Sequence, residues 1–88
     1  MLKRRISMFI NKASDGKNNI CGLNVARLRS AHGISQRALA DKLQLLGLDI
    51  DKNAVQRIEA GKRFVTDIEL KTIAEYFDIT VDELINAE

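Results

Sequence analysis

An 88-residue chain holds one domain and one modest core, and its 45% hydrophobic and 30% charged residues are those of a soluble globular protein. The lone cysteine, Cys21, excludes an intramolecular disulfide framework, fits a reducing compartment and reads as a small apolar filler. The net charge of +2 excludes little, but it is polarised. Residues 1–35 carry seven Lys/Arg against Asp15, residues 36–63 carry six against four acidic side chains, and residues 64–88 carry Lys71 against seven. Such polarity suggests one face for a polyanion and an acidic end turned away from it.

Residues 1–19 read as a basic, flexible arm preceding a domain over residues 20–88. Lys3, Arg4 and Arg5 ahead of Ile6–Ile10 faintly echo a signal peptide, but the apolar part is too short and contains Ser7. No stretch approaches the roughly twenty apolar residues of a membrane span, so the expectation is a cytoplasmic protein without membrane contact. Ala13 to Asn19 is small, polar and aperiodic, which predicts loop or disorder.

From Gly22 the pattern turns helical, with Val25 and Leu28 three apart and His32-Gly33 at the stop. Ser35 is placed to cap a second helix whose inward face is Leu39, Ala40 and Leu43. Leu45, Leu46, Leu48 and Ile50 around Gly47 read as its last turn plus an apolar connection. Asp51 is placed to cap a third helix, residues 51–60, carrying Val55 and Ile58 and stopped by Gly61. Thr66–Glu69 and Thr80–Glu83 both fit the capping box, in which Thr and Glu satisfy two backbone donors reciprocally. The first opens a helix with Leu70, Ile73, Ala74 and Phe77 on one face, and the second a short helix with Leu84 and Ile85. The expectation is all-α, five short helices around one core.

Catalytic constellations are missing: one His, one Cys, no Gly-rich phosphate loop and no Cys/His spacing for zinc. His32 is expected at a helix C-terminus, and the acidic residues on caps and polar faces. Neither an enzyme nor a cofactor or metal site is expected.

The run Leu28-Arg29, Gly33-Ile34-Ser35-Gln36, Leu39-Ala40, Arg57 to Arg63, Leu70, Ile73-Ala74 and Thr80 to Leu84 resembles the Cro/CI-type, or XRE-like, helix-turn-helix family over residues 22 to about 86. That resemblance implies a lambda-repressor-like five-helix domain that binds double-stranded DNA with its third helix in the major groove. It assigns base contacts to Lys52, Asn53, Ala54 and Arg57, whose chemistry suits guanine, adenine and thymine edges. Backbone contacts fall to Gln36 at a helix N-terminus, to Gln56, and to Lys62 and Arg63 in the following loop. It also implies an ion pair between Arg29 and Glu59. One departure stands out: Leu43 to Glu59 is about five residues longer than the family pattern, which predicts a lengthened second helix and a loosened turn.

Function follows as sequence-specific DNA binding by a transcriptional regulator, most simply a repressor, working as a homodimer that can pair only on DNA. The alternative is an antitoxin-type protein-interaction module that neutralises a partner protein and also autorepresses. Its support is the apolar surplus at Leu45, Leu46, Leu48 and Ile50. An RNA-binding role is third, because Phe9, Phe64, Phe77 and Tyr76 are few for a stacking platform.

Overall fold

A computed structural model describes residues 16–86, and among them it contains five helices and no strand. Helices α1 (Gly22–Ala31), α2 (Gln36–Leu45), α3 (Lys52–Glu59), α4 (Asp67–Tyr76) and α5 (Val81–Asn86) surround one core. Residues 1–15 of the expected arm, with Lys3, Arg4, Arg5 and Lys12, lie outside the described residues.

Side chains close the helix starts as the capping pattern predicts. Ser35 Oγ accepts from the Ala38 amide at 3.0 Å, and Asp51 Oδ1 from Ala54 at 2.8 Å. Thr66 and Glu69 form the full capping box, with bonds of 3.2 and 3.0 Å. Thr80 and Glu83 repeat it at 3.0 and 2.9 Å. Each cap satisfies amides that the helix leaves without a partner and contributes about 1 kcal/mol. Gly33 and Gly61 sit at φ +67° and +76° as the helix stops. The stop after α4 is Asp78, which holds φ +58° while Ile79 donates back to the Ala74 carbonyl at 3.0 Å.

The periodic apolar positions turn inward. Val25, Leu39, Ala40, Leu43, Val55, Ile58, Ile73, Ala74, Phe77 and Leu84 are buried together with Cys21 and Ile50. Burial pushes the Cys21 thiol up to about 11. Asn24 is the buried polar side chain, and its amide donates to the Leu84 carbonyl at 2.8 Å, joining α1 to α5. His32 caps α1, with its ring against Phe77 at 5.1 Å and its Nδ1 donating to the Leu28 carbonyl.

In the connection between α2 and α3 the turn departs from expectation. Helix α2 runs on through Leu45, the second residue past buried Leu43, and the turn that follows is not loose. Leu46 and Leu48 both donate to the Leu43 carbonyl at 3.1 Å, and the Gln44 side chain donates across the turn to the Ile50 carbonyl at 2.8 Å. Ile50 itself is fully buried, an anchor that contributes about 1.5–3 kcal/mol. The connection is a defined loop pinned at both ends, with Leu45 in the last turn of α2 and Leu46 just after it left on the outside, 83% and 52% exposed.

Candidate nucleic-acid interface

Helix α3 is set by its own amphipathic pattern. Val55 and Ile58 face the core, and Ala54 is half-buried against it. At 100° per residue the opposite side carries Asn53 and Ala60, flanked by Gln56 and Arg57, with Lys52 at the margin. All five are exposed. A shallow depression is lined by Asn53, Gln56, Arg57, Ala60 and Lys62, and a second by Arg37, Lys52 and Asn53 with Asp41 and Asp51. Asn53 belongs to both and stands where they meet.

Two sequence assignments shift here in emphasis. Gln56, assigned to the backbone, lines the same depression as Asn53 and Arg57, whereas Ala54 leans toward the core. Arg37 was not among the candidates, yet it shares a depression with Lys52 and Asn53. The signal was available, because a cation one residue past Gln36 on the first turn of α2 stays beside it.

The remaining candidates are tied to carboxylates. Arg29 Nε and Nη2 donate to the two oxygens of Glu59 at 2.6 and 3.0 Å, and Nη1 donates to the Ile34 carbonyl at 3.0 Å. The arginine side chain is 19% exposed and the glutamate 8%. The bond to Glu59 raises the Arg29 guanidinium above the ordinary arginine range. Gln36 Nε2 donates to the same carboxylate at 3.0 Å. Glu59 therefore joins α1, the start of α2 and the end of α3 in one network. Arg63 is likewise forked onto Glu69 at 2.9 and 3.0 Å and donates to the Phe64 carbonyl. The Arg63 hydrogen bond, aided by Thr66, holds the Glu69 carboxyl below its usual range. Of the four backbone-contact candidates, Lys62 and Gln56 are exposed, while Gln36 and Arg63 are half-buried and engaged within the fold.

Charge is uneven: Arg37, Lys52, Arg57 and Lys62 line the α3 face with Asp41 and Asp51 among them, whereas on α4 and α5 exposed Asp67, Glu75, Asp82 and Glu83 outnumber Lys71. Asp67, Asp82 and Glu83 occupy first turns, where negative charge complements the helix dipole.

A family model described as helix-turn-helix matches residues 25–84. Among curated proteins, the chain is similar to the HTH-type transcriptional activator BcrR of Enterococcus faecalis, 31% identical over 62 residues. The aligned part is 70% of this chain and 28% of that relative's length. No solved structure gives a significant match. Among the described residues, no helix is long and apolar enough to cross a membrane, and no group of His, Cys, Asp or Glu is disposed to hold a metal ion.

Proposed function

This chain belongs to the Cro/CI-type, XRE-like helix-turn-helix family, and on that premise we propose that it binds double-stranded DNA sequence-specifically as a transcriptional regulator. The observation that carries the reading is the outward face of α3, where Lys52, Asn53, Gln56 and Arg57 project beside Arg37 and Lys62. An α-helix of this width enters the major groove. There Asn53 and Gln56 suit adenine N6 and N7, Arg57 and Lys52 suit guanine O6 and N7, and Ala54 has a methyl for thymine. Lys62 and Arg37 suit phosphates, joined by the amides at the start of α2 next to Gln36. Arg63 reaches a phosphate only by giving up or sharing Glu69, so it ranks below Lys62.

One such unit offers few base contacts, and operator-level affinity points to a homodimer on two half-sites about 34 Å apart. In the simplest case, occupancy represses by excluding polymerase from a promoter, although the named relative is an activator. Exposed Leu45 and Leu46 favour a second reading, in which the α2–α3 loop receives a protein partner in the manner of an antitoxin.

Selection of bound fragments from a genomic library, followed by footprinting and a reporter fusion, tests all of this. The expected result is one motif with two half-sites and a reporter that falls when the protein is supplied. Asn53→Ala and Arg57→Ala should each weaken the selected site by about 1–3 kcal/mol with little change on random duplex. Lys62→Ala should weaken both and lower the salt slope by about one. Duplex affinity no better than millimolar at low salt would refute the reading. A footprint confined to one half-site at saturation would refute the dimer.

A further inference from the structure

We propose that Asn18 and Asn19 form a strap that positions the loop after α3, and Lys62 in particular, for contact with a nucleic-acid phosphate. The inference rests on the DNA reading above. It starts from a row of bonds spanning 39 to 44 residues of sequence. The Asn18 amide donates to the Gly61 carbonyl at 2.8 Å, and its side chain donates to the Lys62 carbonyl at 3.1 Å. The Asn19 side chain donates to the carbonyls of Arg63 at 2.7 Å and Ile58 at 3.1 Å. Consecutive asparagines thus engage three successive loop carbonyls and one from the last turn of α3.

The strap is fixed at its other end by α1. Asn19 Oδ1 accepts from the Gly22 amide at 2.8 Å. A Cβ on Gly22 would overlap the Ile58 carbonyl oxygen, so α1 and α3 touch at backbone distance. The Lys17 stem covers buried Gly61, close enough that a Cβ there would lie 2.6 Å from its Cδ.

These bonds have a direction. The Ile58 carbonyl in the last turn of α3 accepts from the Gly61 amide at 2.9 Å as well as from Asn19, and the other three carbonyls the asparagines take belong to the loop itself. The Lys62 amide is meanwhile bonded to the Arg57 carbonyl at 2.9 Å. With its amide and its carbonyl both held, the Lys62 backbone is set, and its side chain leaves on the side of Asn53, Gln56 and Arg57. A flexible lysine placed this way loses less freedom when it meets a phosphate. Asn18 and Asn19 are therefore positioning residues, acting on DNA through Lys62.

The test uses the full chain with Asn18→Ala, Asn19→Ala, Lys62→Ala and the Asn18→Ala/Lys62→Ala double variant. Asn18→Ala leaves the Asn19–Gly22 bond in place and isolates the effect on the loop. Amide hydrogen exchange without DNA should show residues 61–63 exchanging about ten times faster in Asn18→Ala, with the α2 and α4 cores unchanged. Binding to the selected operator and to random duplex should weaken together by about five-fold, with the salt slope falling toward that of Lys62→Ala. The double variant should bind like Lys62→Ala alone, since the asparagine acts through the lysine. Additive losses, or exchange and salt slope both unchanged in Asn18→Ala, would overturn the strap. Failure of the unsubstituted protein to bind any duplex would instead overturn the DNA reading, a separate outcome.

Discussion

Replacing Arg29 by Met leaves Glu59, 8% exposed, with the Gln36 amide as its remaining side-chain donor of those seen here, and takes the guanidinium from the Ile34 carbonyl. Removing one partner of a buried, hydrogen-bonded ion pair costs roughly 3–5 kcal/mol, because the charge left behind has lost its partner and stays out of water. With the Glu59 side chain only 8% exposed, the loss in Arg29→Met should be about 3–4 kcal/mol at pH 7. In a domain of this size it lowers the Tm by more than about 12 °C. Urea denaturation at pH 7 measures it directly. The double variant Arg29→Met/Glu59→Leu strands neither charge and should recover most of the stability. If the pair serves to orient α3, that recovered protein should still bind its operator less well. An Arg29→Met protein of unchanged stability at pH 7, or a double variant no more stable than Arg29→Met alone, would refute the reasoning.

Three further outcomes follow from other contacts. In Glu69→Gln the lost bond to Arg63 should cost stability in full above about pH 4.5, because the folded carboxyl is held below its usual range. That deficit should close as acid protonates the carboxyl of the unsubstituted protein, and a gap independent of pH in thermal melts from pH 2 to 7 would count against the pair. Cys21, buried and raised to about 11, should react with a thiol reagent at pH 8 only as fast as the chain opens, and labelling at the rate of a free thiol would contradict its burial. Gly22→Ala separates propensity from packing: propensity alone raises helix stability by about 1 kcal/mol, whereas the overlap with the Ile58 carbonyl predicts a net loss of about 1–3 kcal/mol.

What the sequence made legible was decided within a few residues. Ser35, Asp51, Thr66 and Thr80 close hydrogen bonds to amides three positions away, so their roles can be read without knowing the fold. The inward faces of α2 and α4 follow from helical spacing alone. Gln56 belonged to the same class: once Val55 and Ile58 define the buried direction, the wheel places Asn53 and Ala60 opposite, with Gln56 and Arg57 to either side. Asn19 could not be read this way, because an asparagine in a polar stretch looks like loop until its partners at 58 and 63 are brought to it. Arg63 likewise read as a loop cation, yet Glu69, placed by its capping box with Thr66, takes the guanidinium.

The long α2–α3 connection shows why the two ends of α3 were not equally legible. Its C-terminal end is held by polar bonds whose partners lie far apart in sequence: Arg29 and Gln36 on Glu59, Asn19 on Ile58. Its N-terminal end is held locally, by buried Ile50, the Asp51 cap and the Gln44 bond to the Ile50 carbonyl. Extra residues in a connection alter where a helix begins only if the anchor moves with them. Here Ile50 enters the core directly before Asp51, so the start of α3 is set by its own anchor and cap, whatever the length of chain between Leu43 and Leu48. Lys52 and Asn53 follow that anchor on the first turn of α3. Leu45 and Leu46 stay exposed on the far side of the anchor, so covering them need not displace α3.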